Sequence, residues 1–446
     1  MHFFQVLNDE LGCASYLLAD GDEAIVVDPR WDIDVYLELA AQHGARITHA
    51  IDTHDHADHV SGRGRLARAS GAVAAHPGAG IEAGDVLRAG RIRLEAVATP
   101  GHRPEHLAFV VVDETRGDEP WCVLSGDSLL VGDVARPDLA VDAGEGAEAL
   151  HESLQRIFAL GDHVELWPGH VGGSLCGGAG LSPKTSSTIG FERLSASPAA
   201  LEHDPFVGTI CGATPPKPPN IERIVALNKG PLDAEPSVPE LLDAEGLRAE
   251  LGAGATVVDI RPAGAFDSGH LSGALSLPPS PGRVTRVGWA AADDEPIVVV
   301  GEDAQDARAF AGALHAIGLW SVRGIAAADA QAWRAAGLPV SEAEAWDIER
   351  LAAALGEGDI ALVDVREAKE WASGHVPGSV PLPLHRLGDG RVPVPGLNGG
   401  PIAVACAAGA RAALAASILR RAGHPQVIRV AGGGIGDLPV ALERGA

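Results

Sequence analysis

The C-terminal half of the chain repeats itself at an offset of 105 residues. At this offset Val258-Asp259-Ile260-Arg261 matches Val363-Asp364-Val365-Arg366, and Ser268-Gly269-His270 matches Ser373-Gly374-His375. Each copy contains a strand-like run, a Gly-His segment, a second apolar strand and an Ala-rich helical stretch. An internal repeat determines the architecture, so the sequence predicts two copies of one α/β fold of about 100 residues each.

Length and proline content indicate where the domains meet. A chain of 446 residues is too long for one ordinary core and suggests about three domains. The proline-rich stretch 231–239 interrupts regular patterning, because proline cannot donate a backbone hydrogen bond. We therefore predict three domains, at residues 1–235, 236–342 and 343–446.

The densest group of candidate metal ligands lies in the first domain. His54, His56, Asp58 and His59 follow a strand-like run at 47–52 and precede a turn that opens a helix. Neutral imidazoles and carboxylates are usual ligands of Zn and Fe, and a loop lets them converge as a straight strand cannot. This stretch predicts a metal site at a strand end.

Three further candidate ligands follow strand-like runs. His102 follows the run 92–98, Asp127 follows 121–124, and His170 follows 164–166. Strand and helix signals alternate through this region, which predicts layered α/β architecture. Strand ends from separate segments can bring such ligands together at one site.

These motifs together carry a family resemblance. His-x-His-x-Asp-His, followed by a Gly-His, a Gly-Asp and a Pro-Gly-His, resembles the metallo-β-lactamase superfamily over roughly the first half of the chain. The segments 99–106, 125–138 and 173–177 are most similar to those of the persulfide dioxygenases. The resemblance implies an N-terminal αββα sandwich followed by the two repeated α/β domains.

The same resemblance implies one Fe(II) per chain, held by His54, His102 and Asp127. Two imidazoles and one carboxylate suit non-haem Fe(II) and leave open positions for substrate and O₂. On this interpretation the other four ligand-type residues orient the iron ligands: His56, Asp58, His59 and His170. The sequence leaves zinc open, because the same four residues would suffice for a dinuclear hydrolase.

Other residues near these motifs receive simpler interpretations. Cys176 lies just after the Pro-Gly-His motif and is expected to bind substrate at the entrance. Cys13 and Cys122 lie in apolar runs and are expected in the core. His106 is expected to be a bystander near the loop, and Asp28 to bond neighbouring backbone at a strand end.

The second repeat copy resembles rhodanese domains. It contains Asp-Val-Arg-Glu, Gly-His-Val-Pro-Gly-Ser and a loop from Cys406 to Arg411. Cys406 lies between a strand and a helix, where backbone amides can stabilise a nucleophilic thiolate, and Arg411 can add positive charge. In the first copy Gly301 and Asp306 occupy these two positions, so we predict that this copy does not transfer sulfur.

Composition limits the partners and the compartment. The formal net charge of -26 and the pI near 5.0 disfavour nucleic acid or anionic membrane as a partner. No apolar run approaches a membrane span of roughly 18 residues, and the N-terminus lacks a signal-peptide pattern. Five cysteines without a CxxC pair favour reduced thiols in the cytoplasm. A homo-oligomer is left open.

The predicted function is the oxidation of a low-molecular-weight thiol persulfide, such as glutathione persulfide, by O₂ to sulfite and thiol. Sulfur transfer at Cys406 could further give thiosulfate, and both steps would serve sulfide detoxification. One alternative is a dinuclear zinc thioesterase of glyoxalase II type. Another is a sulfide-responsive carrier or binding protein.

Overall fold

The computed structural model of the chain describes all residues except 173, 175, 179, 196, 213, 214, 389–399, 425 and 446. It divides the chain into two compact units. The first comprises Met1–Glu235 with His315–Gly318, and the second comprises Pro236–Leu314 with Leu319–Ala446. The predicted division of the second unit at 342 stays a prediction.

The first unit is built on two six-stranded sheets. Successive strands follow sequence order in both sheets, from β1 to β6 in one and from β7 to β12 in the other. The strands are β1 (His2–Asn8), β2 (Cys13–Asp20), β3 (Glu23–Val27), β4 (Arg46–Ile51), β5 (Val73–Pro77), β6 (Gly80–Ile81), β7 (Val86–Ala89), β8 (Ile92–Ala98), β9 (Leu107–Asp113), β10 (Cys122–Gly126), β11 (Glu165–Pro168) and β12 (Ser187–Thr188).

Helices cover the outer faces of these sheets. They are α1 (Asp34–Gln42), α2 (Arg63–Ser70), α3 (Ala143–Phe158), α4 (Ile189–Leu194), α5 (His203–Cys211) and α6 (Ile221–Asn228). Leu18 and Phe109 belong to the core between the sheets, whereas their neighbours Leu17 and Ala108 belong to the cores beneath the helices. Alternation along a strand directs successive side chains to opposite faces. The predicted αββα sandwich is confirmed.

The second unit contains two five-stranded sheets with the same strand order. The orders are β13-β18-β17-β14-β16 and β20-β24-β23-β21-β22, and β15 and β19 form a separate two-stranded sheet. The strands are β13 (Glu240–Leu241), β14 (Thr256–Asp259), β15 (His270–Leu271), β16 (Leu275–Ser276), β17 (Ile297–Gly301), β18 (Val322–Ala327), β19 (Val340–Ser341), β20 (Ala345–Trp346), β21 (Ala361–Asp364), β22 (Val380–Pro381), β23 (Ile402–Ala405) and β24 (Val427–Val430). Thr256 pairs with Ile297 and Ala361 with Ile402, so the sequence repeat is also a repeat of register.

Helices pack on both sheets of the second unit: α7 (Ala244–Gly252), α8 (Ala263–Ser268), α9 (Arg283–Val287), α10 (Ala304–Ala316), α11 (Ala330–Ala335), α12 (Ile348–Glu357), α13 (Ala368–Ser373) and α14 (Ala410–Arg421). Every residue from 412 to 419 in α14 is buried. The Ser417 hydroxyl of this helix accepts a hydrogen bond from the Ser276 amide in β16 at 2.9 Å. The first copy therefore covers part of the helix that follows the Cys406 loop.

The predicted strands before the candidate ligands are present, and β8 has the predicted bounds. The first strand, β1, was not predicted. Among the helices that the structure describes, none combines the length and apolar character needed to cross a bilayer.

Candidate metal centre and thiol loop

The candidate ligand loop begins where β4 ends and is fixed there by Asp28. This carboxylate accepts hydrogen bonds from the Thr53 amide at 2.7 Å and from the Thr53 hydroxyl. Its Oδ1 also lies 3.1 Å from His56 Nε2. The backbone of Asp28 has a φ of 52°, a left-handed conformation that non-glycine residues seldom adopt. The predicted role of Asp28 at the strand end is confirmed, and the contact with His56 adds to it.

The side chains of His54, His102 and Asp127 converge. Their ligand atoms all lie within 4.8 Å of one another, and Asp127 Oδ2 is 3.8 Å from His54 Nε2 and 3.4 Å from His102 Nε2. These three atoms are buried and have no hydrogen-bond partner among the described residues. Buried polar atoms are normally satisfied, so three unpaired atoms facing one point fit a metal ion.

Contacts behind these three side chains fix their orientation. His54 Nδ1 lies 2.9 Å from the Thr53 hydroxyl, and His102 Nδ1 lies 2.9 Å from the carbonyl oxygen of Arg136. Burial lowers the pKa of both imidazoles, which favours the neutral form that binds metals. Each Nε2 can therefore serve as a ligand.

A second polar group lies around Asp58. Its Oδ2 is 2.9 Å from His170 Nε2 and accepts a hydrogen bond from the Cys13 thiol at 3.0 Å, and its Oδ1 is 3.1 Å from His59 Nδ1. His170 Nδ1 in turn lies 2.6 Å from Asp127 Oδ1. The prediction that Cys13 lies in the core is confirmed, and its thiol also contacts the site. Sequence could not find this contact, because it joins two residues 45 positions apart.

Opposite charges determine ionisation in this group. Burial opposes ionisation, but His59 and His170 hold the pKa of Asp58 well below its usual range. Burial likewise opposes protonation of His170, but Asp127 raises its pKa well above the ordinary value. The pKa of Asp127 is lowered despite its burial, chiefly by His170. The group thus favours a carboxylate at Asp127, the form that binds a metal.

His106 is not a bystander. It is buried, its Nε2 accepts a hydrogen bond from the Asp127 amide at 2.9 Å, and its Nδ1 is 2.8 Å from the Thr99 hydroxyl. Burial lowers its pKa to about 3, which keeps the accepting nitrogen free of a proton. The missed signal is its position directly before the buried strand β9, whereas the candidate ligands follow strands.

Cys176 lies close to the same centre. Its thiol, the Asp127 carboxylate and His170 offer ligand atoms within 4.8 Å of one another. The residue is 2% exposed, so it does not line an open entrance, and burial raises the pKa of its thiol. Residues 173 and 175 of the predicted motif lie outside the described residues. A role for Cys176 in substrate binding stays a prediction.

The second candidate site is the Cys406 loop at the end of β23. The Gly409 amide donates a hydrogen bond to Cys406 Sγ at 3.0 Å, and Gly409 adopts a φ of 92°, which glycine tolerates. Arg411 forms two hydrogen bonds with Glu370, at 2.6 and 2.7 Å. The predicted amide contact is present, and the positive charge of Arg411 has a carboxylate partner that sequence did not anticipate.

The corresponding loop of the first copy has no room for a side chain at position 301. A Cβ on Gly301 would lie 2.8 Å from the Ala307 nitrogen and 2.9 Å from Asp306 Oδ2. Asp303 Oδ1 accepts hydrogen bonds from the amides of Gln305 and Asp306. Carboxylates therefore occupy the loop that surrounds a thiol in the second copy.

Family models and known proteins match separate parts of the chain. A family model for the metallo-beta-lactamase superfamily matches residues 8–84, and one for the rhodanese-like domain matches 243–335 and 347–436. The persulfide dioxygenase ETHE1 of Bos taurus is 31% identical over 229 residues, which cover 48% of this chain and 82% of that protein. The chain belongs to the persulfide dioxygenase family of the metallo-beta-lactamase superfamily.

Two other relatives extend this assignment. The crystal structure of a metallo-beta-lactamase from Staphylococcus aureus matches with a TM-score of 0.65 at 27% identity, covering 73% of this chain and 99% of that one. A hydroxyacylglutathione hydrolase from Anaeromyxobacter dehalogenans is 38% identical over 161 residues, which cover 35% of this chain and 60% of that protein. Persulfide dioxygenase and rhodanese-like relatives together place the chain among proteins of sulfur metabolism.

Proposed function

We propose that the chain is an iron-dependent persulfide dioxygenase that also carries a sulfurtransferase thiol. The supporting observation is the contrast between two sets of ligand-type atoms. His54 Nε2, His102 Nε2 and Asp127 Oδ2 converge without hydrogen-bond partners in the described part of the chain. By contrast, Asp58 is hydrogen-bonded to His59, His170 and Cys13. One metal position is thus open, and Asp58 and His170 of the other set are already hydrogen-bonded to each other.

The proposed reaction converts R-SSH, O₂ and water into R-SH, sulfite and two protons. His54, His102 and Asp127 would hold Fe(II), which would supply the O₂ chemistry when bound. His102 is held by the Arg136 carbonyl oxygen, and Asp127 is held by His106 and His170. These contacts keep the ligands in place, and partners behind the ligands contribute to metal affinity.

Cys406 would carry sulfur in a separate step. Its thiolate attacks the outer sulfur of R-SSH, the S–S bond of the donor breaks, and R-S⁻ leaves with the bond's electrons. Sulfite then attacks the outer sulfur of the Cys406 persulfide, which yields thiosulfate and restores the thiolate. The Gly409 amide, 3.0 Å from the sulfur, stabilises negative charge there.

Metal analysis combined with O₂ uptake tests the first activity. We expect one iron per chain and O₂ consumption that depends on glutathione persulfide. His102→Ala should abolish both, because it removes a ligand. His203→Ala is the matched control, since His203 is a surface histidine paired with Glu148. Full iron occupancy in His102→Ala would exclude His102 as a ligand.

A dinuclear zinc hydrolase is the second candidate. His56 Nδ1 and His59 Nε2 are also buried without partners among the described residues, and a hydroxyacylglutathione hydrolase is among the relatives. Two zinc ions per chain with thioester cleavage, and no persulfide-dependent O₂ uptake, would favour this function over the dioxygenase.

We also propose that the chain acts in the reducing cytoplasm. All five cysteines are free thiols: Cys13, Cys122, Cys176, Cys211 and Cys406. Cys406 must stay reduced to accept sulfur, and cytoplasmic conditions favour that state.

A further inference from the structure

The loop that carries His54, His56, Asp58 and His59 is hydrogen-bonded to Asn228, a residue far away in sequence. Asn228, the last residue of α6, is fully buried. Its side-chain amide donates hydrogen bonds to the carbonyl oxygens of His56 at 2.8 Å and His59 at 2.7 Å. Its Oδ1 accepts one from the Ser61 amide at 2.9 Å. Both amide protons and the acceptor oxygen are thus committed to one loop.

Arg63 connects this residue to the strand that leads into the loop. Its buried guanidinium pairs with Asp52 through Nη1, while Nη2 donates to the carbonyl oxygens of Asn228 and Gly230. The Ser61 hydroxyl donates to Asp52 Oδ1 at 2.7 Å. Asn228, Ser61, Asp52 and Arg63 therefore form a closed ring of hydrogen bonds at the start of the ligand loop.

Residues 228–235, here called the anchor segment, lie along α2. Gly64 makes this approach possible, because a Cβ there would lie 2.7 Å from both Cβ and the carbonyl oxygen of Leu232. Leu232 is buried with a φ of 54°, and its carbonyl oxygen accepts a hydrogen bond from Arg68 at 2.6 Å. Arg65 and Arg68 both pair with Glu235. The strained backbone conformation of Leu232 is thus stabilised by its packing against Gly64 and by the hydrogen bond from Arg68.

We propose that Asn228 is a positioning residue for the iron site and that the anchor segment holds it in place. The inference rests on the proposed function for the presence of iron, but it concerns residues outside the ligand set. Three hydrogen bonds to residues 56–61 fix the loop backbone before metal binding. Iron then binds to a loop that is already ordered, so binding does not include the entropic cost of ordering it. The iron affinity therefore depends on Asn228 and on the anchor segment.

The test measures iron release from the full-length protein by chelator competition. Asn228→Ala should release Fe(II) up to about 10-fold faster than the wild type, the low end of the effect of losing a direct partner of a metal ligand, because Asn228 bonds the loop backbone and not a ligand itself. Asn228→Asp keeps the acceptor but loses both donors, so we expect a comparable loss. The EPR spectrum of the nitric oxide adduct of Fe(II) should broaden in both variants, because the ligand geometry becomes heterogeneous. Wild-type iron retention in Asn228→Asp would overturn the proposal.

A second variant acts without changing the loop or Asn228. Gly64→Ala should displace the anchor segment at Leu232 and also speed iron release, which keeps the proposal testable if Asn228→Ala fails to fold. Asn220→Ala is the matched control at the start of α6, where the amide bonds Ile317 instead of the loop. Equal iron release from the wild type, Asn228→Ala and Gly64→Ala would overturn the inference, whereas a wild type that binds no iron would overturn the proposed function.

Discussion

The two copies of the C-terminal unit share a scaffold and differ in one loop. Arg261 binds Asp259 and the Gly269 carbonyl oxygen, and Arg366 binds Asp364 and the Gly374 carbonyl oxygen with nearly the same distances. His270 stacks on Phe266 with ring centroids 3.7 Å apart, and His375 stacks on Trp371 at 3.9 Å. These equivalent contacts hold the Gly-His segment against the sheet in each copy.

The loops that follow β17 and β23 have opposite character. In the second copy a glycine amide faces a thiol, and Arg411 pairs with Glu370. In the first copy the Asp303 side chain accepts hydrogen bonds from the first amides of α10. Ala265 is the residue at the position equivalent to Glu370. The comparison teaches that the Asp-x-Arg and Gly-His contacts are common to both copies. The loop for which we propose sulfur chemistry is the part that differs.

The strongest test of this comparison removes the thiol. Cys406→Ser should reduce sulfur transfer from persulfide to the buffer background, because the first copy has no nucleophile to replace it. Persulfide-dependent O₂ uptake should remain. Mass spectrometry of the persulfide-loaded protein checks the first outcome. Cys211→Ser, which changes the least buried of the other cysteines, is the control. Loss of both activities in Cys406→Ser would contradict two separable sites.

Equivalent arginines should have equivalent effects on stability. Arg261→Met and Arg366→Met each leave a carboxylate that is 1% exposed without its partner. Breaking a buried pair in this way should lower the free energy of unfolding by about 3–5 kcal/mol. Urea denaturation measures the loss. Arg334→Met removes an exposed pair with Glu342 and should cost far less. Clearly unequal losses at 261 and 366 would show that the scaffolds are not equivalent.

A cysteine placed in the first copy should not restore sulfur transfer. Gly301→Cys in a Cys406→Ser background should show no sulfur transfer, since the new Cβ would collide with Ala307 and Asp306. The collision should lower stability by about 1–3 kcal/mol. Gly312 in α10 has nothing within 4 Å of an added Cβ. Gly312→Ala should therefore stabilise, which controls for glycine replacement. Sulfur transfer by Gly301→Cys would break the distinction between the copies.

The smallest expected effect is on stability and concerns Glu370, whose equivalent in the first copy is Ala265. Arg411 lowers the pKa of Glu370, against the opposing effect of burial. A lowered carboxyl pKa contributes stability above the unfolded value of about 4.3, and that stability is lost as pH falls through the folded pKa. Because the pair is partly exposed, Glu370→Gln should cost under about 1 kcal/mol at pH 7. The difference should disappear on acidification. Ala265→Gln, at the matching exposed position, should be neutral.

The sequence predicted the site residues that a local pattern marks, and it missed those that reach the site only through contacts between distant segments. His54, His102 and Asp127 follow strands, and such positions are visible in the sequence as an apolar run followed by a ligand-type residue. Cys13, His106 and Asn228 enter the site through contacts between separate segments, and Asn228 has no motif of its own. Likewise, the pairing of Arg411 with Glu370 joins positions 41 residues apart. Such contacts depend on packing, which local periodicity does not encode.

The continuous burial of residues 412–419 in α14 has a consequence for cutting the chain into fragments. The Ser276 amide in β16 donates a hydrogen bond to the Ser417 hydroxyl of this helix, so a fragment that begins at residue 343 would expose part of α14 to water. We therefore expect the first copy to be needed for the stability of the second, even though it has no cysteine at position 301.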